Sequence, residues 1–421
     1  SGRRSGGGVC RMREMKDSGV EWIGEIPKNW KICRLKDYAH ICNGRDYSEV
    51  LAENGDYPVI GSGGQFAKAC EPLYQKESVL LGRKGTIDKP LFVDYPFWTV
   101  DTMYYTEIKE NVSAKYFYYL CTQIEFDFYQ YGSAVPSMTQ RDLYNVNFPY
   151  PTLDEQRRIA NYLDRKCSQI DTIIARQQEV IEKLKTYKLS VITEAVTKGL
   201  NPNVPMKDSG IDFIGSIPET WRICRLRNIG TLQNGISKGG EFFGHGFPFV
   251  SYGDVYRNFS LPVQVAGLID SSDEERRNYS VESGDIFFTR TSETIEEVGF
   301  SSVCEETIPD ATFAGFLIRV RPFTNDLVPK FAKYYFRSNH HRYYLVKQMN
   351  LVTRASLGQD LLKSMPVLVP PKEEQTNISA YLDKKCGAIE SSIEYKQRVI
   401  ERLTAYKKSL IYEVVTGKKE V

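Results

Sequence analysis

Asp94, Glu107 and Lys109 are the residues whose spacing comes closest to a catalytic pattern. Their order follows the D…ExK pattern of metal-dependent nucleases, in which two carboxylates hold Mg²⁺ and a lysine assists the attacking water. Charged residues on surface strands often produce the same spacing, and the second half of the chain has no counterpart of it. A nuclease is therefore kept as an alternative hypothesis, and solvated surface residues are the simpler interpretation.

No other catalytic or cofactor-binding pattern is present in the sequence. There is no GxxxxGKS/T phosphate loop, no GxGxxG segment after a predicted strand and no NPPY-type methyltransferase segment. The histidines lack HExxH or cysteine-partner spacing, which argues against a metal site; they are His40, His245, His340 and His341. We expect a chain with no catalytic residue, metal or cofactor of its own.

An internal duplication dominates the sequence. The segment MKDSGVEWIGEIPKNWKICRL (Met15–Leu35) returns as MKDSGIDFIGSIPETWRICRL (Met206–Leu226), and the segment that starts at Asp154 returns from Glu373. We call these repeated segments the frame. Between them lie two inserts, 36–148 and 227–367, that scarcely resemble each other. The chain therefore keeps a frame and varies an insert.

The longer repeated segments have the periodicity of amphipathic helices. One heptad slot holds Leu163, Ile170, Gln177, Leu184 and Val191, and a second holds Ile173, Val180 and Tyr187. A capping box at Thr152 and Glu155 and a stop at Gly199 bound a helix of roughly 65 Å. Such a helix needs a partner, and its own copy is the nearest candidate. Gln177 and Lys396 share a slot, which predicts a polar layer in the seam.

The inserts have strand-like runs at 78–83, 90–93, 285–290 and 315–321 and helix-like runs at 114–124 and 330–346. Each insert is predicted to be a compact α+β domain with a curved sheet. The predicted fold is α+β, with two globular domains joined by two long antiparallel coiled-coil helices in a pseudo-two-fold repeat. The predicted segments are a flexible tail (1–14), a first domain (15–150), a central helix (151–199), a linker with a second domain (200–368) and a C-terminal helix (369–421).

The repeated motifs resemble the specificity subunit of type I restriction-modification systems. They are KDSGVEWIGEIP and KDSGIDFIGSIP, FPYPTLDEQRRIANYLD and VLVPPKEEQTNISAYLD, and the junction ITEAVTKGLNPNVPMKDSG. The resemblance implies a non-catalytic DNA-binding subunit in which each insert is a target recognition domain for one half of a bipartite, asymmetric site in double-stranded DNA. It also implies that the helices set the half-site spacing and dock the modification (methyltransferase) subunits. Restriction subunits, which translocate and cleave DNA, would join through the complex.

Charge and hydropathy bear on this expectation. No apolar run approaches the roughly 18 residues of a membrane span, and a cytoplasmic location without membrane contact is expected. Residues 36–150 hold 10 Lys and Arg against 15 Asp and Glu, and residues 227–368 hold 15 against 16. Because phosphate neutralisation supplies much of the affinity for DNA, domains with these charges must gather their cations on one face.

Base-reading side chains are expected in turns that present long polar residues beside glycine, since these can bond base edges in the major groove. Two turns, GRKGT at 82–86 and TRTS at 289–292, rank first. The candidates in the first insert are Gln65, Lys68, Arg83, Lys84, Gln140 and Arg141, and those in the second are Tyr252, Arg257, Arg290, Ser292, Arg354 and Gln359. Solvated surface or turn chemistry is the alternative interpretation for each of them.

A purely architectural adaptor, with helices that bind partner proteins and inserts that bind protein, is the second hypothesis. Sequence preference distinguishes the two, because an adaptor should select no split DNA site even with its partners present. The helices give a further prediction: deleting four residues from one of them should change the tolerated gap between half-sites and leave both halves unchanged.

Overall fold

Two long helices span the repeated segments, α4 (Leu153–Lys198) and α10 (Lys372–Val415). The computed structural model describes residues 13–126, 136–292, 298–348 and 355–421. The chain divides into two units, of which unit 1 comprises 1–177 with 398–421 and unit 2 comprises 178–397. Each unit therefore holds one insert, one leading segment of the frame and a part of each long helix. Most of the predicted tail, residues 1–12, lies outside the described residues.

Unit 1 contains these strands and helices in addition to its parts of α4 and α10. Its strands are β1 (Met15–Asp17), β2 (Glu25–Pro27), β3 (Lys31–Arg34), β4 (Ala39–Asn43), β5 (Tyr57–Gly61), β6 (Gly64–Ala69), β7 (Ser78–Gly82), β8 (Leu91–Val93), β9 (Trp98–Thr99), β10 (Met103–Ile108) and β11 (Asn147–Tyr150). Its helices are α1 (Leu35–Tyr38), α2 (Ala114–Cys121) and α3 (Gln140–Asn145).

Unit 2 has a similar order with additional strands and helices. Its strands are β12 (Met206–Asp208), β13 (Ser216–Pro218), β14 (Arg222–Arg225), β15 (Gly230–Asn234), β16 (Phe243–Val250), β17 (Leu268–Ile269), β18 (Ile286–Thr289), β19 (Thr291–Ser292), β20 (Ser301–Val303), β21 (Thr312–Phe313), β22 (Leu317–Pro322), β23 (Ala355–Ser356) and β24 (Pro366–Val369). Its helices are α5 (Tyr252–Arg257), α6 (Asp273–Asn278), α7 (Pro329–Tyr335), α8 (Asn339–Gln348) and α9 (Gln359–Ser364), with 3-10 turns at Leu226–Asn228 and Gly240–Phe242.

The two inserts share one sheet topology. Unit 1 has a four-stranded antiparallel sheet in the order β4-β10-β7-β8, and unit 2 has the equivalent order β15-β22-β18-β20. A three-stranded sheet lies in each insert, β6-β5-β9 and β17-β16-β21, and in both its last pair is parallel. The α+β class is confirmed. Among the described residues each insert has a four-stranded and a three-stranded sheet, and the second insert also has the two-stranded sheet β19-β23, where one curved sheet was expected. In unit 1 a turn in which Met103 N donates to the Val100 carbonyl at 3.0 Å leads the chain from β9 in one sheet to β10 in the other.

In unit 1 the start of α4 packs against the end of α10. The hydroxyl of Tyr116 donates to the carbonyls of Pro149, just before α4, and Val415, the last residue of α10, at 3.0 and 3.1 Å. Further along, Lys407 donates to the carboxylate of Asp171 at 2.7 Å. Since residue numbers rise along one helix as they fall along the other, the two helix segments are antiparallel within this unit.

Unit 2 has the equivalent pairing with the helices exchanged. Trp221 donates from Nε1 to the Glu374 carboxylate at 2.8 Å, and Gly199, just after α4, packs against both residues. Lys188 pairs with Glu390, at the repeat positions of Lys407 and Asp171. Each unit is thus closed by a helix end that comes from the other sequence repeat.

One buried glutamine joins the frame to the insert in each unit. Gln156 accepts from Ser113 N at 2.9 Å and donates to the Pro151 carbonyl at 3.1 Å and the Asn111 carbonyl at 3.5 Å. Gln375 accepts from Val328 N and donates to the Pro370 and Asp326 carbonyls, all at 2.8 Å. Because the partners in the insert are main-chain atoms, this joint does not depend on the side chains of the insert.

Several predicted boundaries agree with the structure and two predicted features differ. The capping box at Thr152 forms, with the Glu155 N–H at 3.4 Å from its hydroxyl. The run 330–346 forms two helices, α7 and α8, because the chain turns at Arg337, whose guanidinium bonds four main-chain carbonyls. The second heptad slot is solvent-facing, with Ile173 42 % and Tyr187 53 % exposed. Among the described residues, no helix is long and apolar enough to cross a bilayer.

Candidate nucleic-acid interface

The turn after β7 holds the first predicted pair of cations, Arg83 and Lys84. The Arg83 N–H donates to the Thr102 carbonyl at 2.9 Å, and the Arg83 carbonyl accepts from Met138 N at 3.0 Å. Lys84 forms an antiparallel bridge with Ser137. Main-chain bonds therefore fix this turn between two other segments of the insert, which orients its side chains.

Among the residues that the structure describes, the Arg83 and Lys84 side chains have weak partners within unit 1. The Arg83 guanidinium lies 5.8 Å above the Tyr104 ring and 3.4 Å from the Asp101 carbonyl. Lys84 Nζ is 3.7 Å from the Asp101 carboxylate, and half of its side chain is exposed. Exposed pairs of this kind contribute at most about 1 kcal/mol, so both cations can exchange these partners for a ligand.

A pair of side-chain amides lies beside the turn. Gln140, the first residue of α3, donates from Nε2 to Oδ1 of Asn43, the last residue of β4, at 3.2 Å. Asn43 pairs across the sheet with Tyr104, the residue beneath Arg83. We call Asn43, Arg83, Lys84, Ser137 and Gln140 cluster 1; the exposed Arg141 follows Gln140 on α3.

Unit 2 builds the same arrangement. The Arg290 N–H donates to the Phe316 carbonyl at 2.9 Å, and the Arg290 carbonyl accepts from Leu357 N at 2.7 Å. Thr291 pairs with Ser356 as Lys84 does with Ser137. Gln359, the first residue of α9, donates to Asn234, the last residue of β15, at 3.0 Å. We call Asn234, Arg290, Thr291, Ser356 and Gln359 cluster 2.

The remaining candidates in unit 1 lie on the β5–β6 hairpin. Gln65 and Lys68 are both exposed on β6. The hairpin turn contacts the β9–β10 turn, since Ser62 N donates to the Thr102 hydroxyl at 3.4 Å. The carbonyl of the same Thr102 accepts from the Arg83 N–H. Gln65 is therefore near cluster 1, and Lys68 lies roughly 10 Å further along the strand.

The candidates in unit 2 are distributed more widely. Tyr252 stacks on Tyr256 at one end of α5, with ring centroids 5.9 Å apart. Arg257, at the other end, lines a cavity beside the long helices together with Lys188, so the structure does not place it in cluster 2. Ser292, on β19, pairs with Ala355 of β23. Arg354 lies outside the described residues.

Three side chains at these sites were not predicted from the sequence: Asn43, Asn234 and Phe316, which is 63 % exposed beside Arg290. A signal for the asparagines was available, because Asn-Gly stands eight residues after Leu35 and after Leu226. The glycines are required, since a Cβ at Gly44 or Gly235 would lie 2.1 or 2.2 Å from a main-chain oxygen. Phe316 has no such signal.

The D…ExK residues do not form a two-carboxylate site. Asp94 follows β8 and Glu107 lies on β10, and β7 runs between these strands. Two strand spacings separate the main-chain positions of Asp94 and Glu107 by about 10 Å, so the two residues are not neighbours in the sheet. Among the described residues, no group of three His, Cys, Asp or Glu side chains is placed to hold a metal ion.

Several known proteins are similar to this chain in sequence, and one solved structure is similar to it in fold. The MjaVIII specificity subunit of Methanocaldococcus jannaschii is 23 % identical over 415 residues, covering 94 % of each chain. The EcoBI specificity subunit of Escherichia coli is 22 % identical over 428 residues, covering 96 % of this chain and 89 % of the relative. A solved structure reported under complex assembly and conformational transition of the type I R-M system superposes with a TM-score of 0.69 over 94 % of this chain and 99 % of that chain, at 16 % identity.

A family model described as the type I restriction modification DNA specificity domain matches residues 27–183 and 218–402. These ranges cover most of the chain and fall once in each repeat. The chain therefore belongs to the type I restriction-modification DNA specificity family.

Proposed function

We propose that this chain is the sequence-specific DNA-binding specificity subunit of a type I restriction-modification complex, and that each unit reads one half of a bipartite, asymmetric target. One observation supports this above all: two inserts of dissimilar sequence place an arginine turn and a side-chain amide pair at the same position of the same fold. Core packing alone gives no reason for such matching polar surface residues.

The chemistry of the clusters fits base reading. Arginine bonds guanine O6 and N7 as a fork, and side-chain amides bond adenine N6 and N7. Both turns are held by main-chain bonds, so little main-chain order has to be gained on binding. In unit 1 the cations of the turn also meet the need for positive charge on one face of an acidic domain.

The long helices are proposed to dock the modification subunits. Tyr187 and Tyr406 occupy equivalent repeat positions, and each is 53 % exposed. Exposed aromatic side chains on a helix face are typical of protein interfaces. The domain boundaries at 15–150 and 200–368 belong to the same proposal, with the helices as the shared frame.

Catalysis is assigned to the partners. The modification subunits supply S-adenosylmethionine and the adenine methyltransferase site, and the restriction subunits supply translocation and cleavage. This chain contributes recognition of the DNA sequence and needs no cofactor for that role. The proposal places it with the DNA, in the cytoplasm.

Long-read methylation sequencing of cells that express this chain with its modification subunit tests the proposal. We expect methylated adenine in a bipartite motif that disappears when this chain is omitted. Arg83→Ala should weaken methylation through one half-site and Arg290→Ala through the other, while Lys89→Ala, an exposed residue near the first turn, should leave both unchanged. A stable complex without any motif would refute the proposal and favour the architectural adaptor.

A further inference from the structure

Clusters 1 and 2 can be compared position by position, because equivalent main-chain bonds identify equivalent residues. In both units the main-chain carbonyl of the turn arginine accepts from a main-chain N–H just before the following helix, from Met138 before α3 and from Leu357 before α9. Four side chains are then the same in the two units: Arg83 and Arg290, Asn43 and Asn234, Ser137 and Ser356, and Gln140 and Gln359. The inserts thus agree at these four positions although their sequences are otherwise dissimilar.

Three equivalent positions around the clusters differ in chemistry. They are Lys84 and Thr291, Thr102 and Phe316, and Arg141 and Asp360. Two of these residues are open to solvent in unit 2. The Asp360 side chain is 99 % exposed and Phe316 is 63 % exposed. In the described part of the chain, the Asp360 carboxylate pairs with Lys363, at 3.3 Å on the same helix. The exposed Phe316 and Asp360 side chains are not part of the buried core of unit 2.

The amide pair has a defined pattern of remaining bonding groups. Its internal bond uses Nε2 of the glutamine and Oδ1 of the asparagine. Nδ2 of the asparagine and Oε1 of the glutamine remain, which places a donor beside an acceptor. This arrangement complements the N7 acceptor and N6 donor that adenine presents in the major groove.

We propose that the arginine and the amide pair of each cluster contact a feature common to both half-sites, an adenine edge for the amides, and that the three differing positions select which half-site a unit reads. This inference rests on the proposed function and assigns its specificity residues. The four shared side chains contact the same chemical groups in both half-sites, and the three differing positions make the target asymmetric.

Charge supports the division. Around cluster 1, the turn and the start of α3 hold three cations, Arg83, Lys84 and Arg141. Around cluster 2 the same positions hold one cation and the Asp360 carboxylate. A difference of three charges at equivalent places favours different contacts to phosphates and bases. The exposed Phe316 ring can stack on a base or enter a base step, which Thr102 cannot do.

Exchange of the differing residues tests the selection. The variant Lys84→Thr/Thr102→Phe/Arg141→Asp gives unit 1 the residues of unit 2, and methylation sequencing should then show altered bases in one half-site and an unchanged other half. Lys84→Thr/Arg141→Asp, which changes only exposed side chains, should show part of the same alteration even if Thr102→Phe disturbs the fold. The control Lys36→Thr/Lys76→Asp makes the same charge change at exposed positions away from the cluster and should leave the motif as it is.

Removal of the amide pair tests the common contact. Asn43→Ala/Gln140→Ala should relax one adenine position of one half-site, with discrimination there falling about 5- to 150-fold. Asn234→Ala/Gln359→Ala should do the same in the other half. Relaxation at a G·C position would overturn the adenine assignment.

The outcomes separate this inference from the proposed function. A wild-type complex without a bipartite motif refutes the proposed function itself. A wild-type motif that both exchange variants leave intact, with full methylation, refutes the selection by the differing residues.

Discussion

Replacing Gln156 or Gln375 by methionine tests whether main-chain bonds join the frame to the inserts. Methionine has nearly the length and volume of glutamine and removes only the amide. Both glutamines are fully buried. The replacement therefore keeps the packing and leaves main-chain groups of the insert without a partner, which is the costly outcome for a buried hydrogen bond.

The geometry predicts unequal costs for the two variants. Gln156 makes two well-formed bonds, at 2.9 and 3.1 Å, and a third that is long at 3.5 Å. Gln375 makes three bonds at 2.8 Å. At about 1.5 kcal/mol for each main-chain group left unsatisfied, Gln156→Met should lower the free energy of unfolding by about 3 kcal/mol and Gln375→Met by about 4.5 kcal/mol.

Urea denaturation gives the total cost, and hydrogen exchange locates it. Faster exchange is expected at the start of α2 for Gln156→Met and at the start of α7 for Gln375→Met. Gln178→Met and Gln397→Met are matched controls, because these glutamines are repeat equivalents on the same two helices and are exposed; each should stay within about 0.5 kcal/mol of wild type. The reasoning would be refuted if both test variants changed the free energy of unfolding by less than about 0.5 kcal/mol. It would also be refuted if Gln156→Met lowered the free energy of unfolding more than Gln375→Met does.

Three further changes have defined outcomes. Burial alone would raise the pKa of Glu155, but the hydrogen bonds that its carboxylate accepts, first among them that from Arg13, lower the pKa. The stabilising effect of the carboxylate is present above about pH 4.3 and is lost as the pH falls through the folded-state pKa. Glu155→Gln should therefore flatten the acid side of a stability profile measured by urea denaturation. Arg321→Met leaves the Asp285 carboxylate, which is 1 % exposed, without its two-bond partner and should cost about 3–5 kcal/mol in the same assay. Arg337→Lys cannot bond four carbonyls from one ammonium and should speed amide exchange over residues 252–258.

Each of these predictions has a result that would contradict it. An unchanged acid profile for Glu155→Gln would remove the inferred role of that carboxylate. Arg222→Met, at a side chain 67 % exposed, is the control for Arg321→Met, and equal costs for the two would show that the buried pair is not special. Arg277→Lys, at an exposed position of α6, is the control for Arg337→Lys, and equal exchange over 252–258 in both variants would exclude Arg337 as the residue that holds α5.

Part of the candidate site could be predicted from the chain. The turn cations Arg83 and Arg290 follow buried strands and stand in short polar turns, which local patterns reveal. Gln140 and Gln359 were found because they precede repeated helices at a constant offset. Arg257 is a candidate that the structure leaves outside cluster 2, because the direction in which α5 presents its last residue depends on the sheet and helices around it. Asn43 and Asn234 lie 97 and 125 residues from their partners, so no local pattern connects them.

The duplication, the frame and its helices follow from the order of the residues alone, because those features depend on periodicity and capping within a few turns of chain. A capping box at Thr152 and a glycine after Lys198 mark helix ends wherever the helix is placed. The tertiary structure alone decided that each unit is closed by a helix end from the other repeat, and that a strand end, a turn and a helix start meet in one cluster. Those arrangements depend on contacts between residues far apart in the chain, such as Asn43 and Gln140 at a separation of 97 positions. At such separations packing and main-chain hydrogen bonds, and not local propensity, determine which side chains become neighbours.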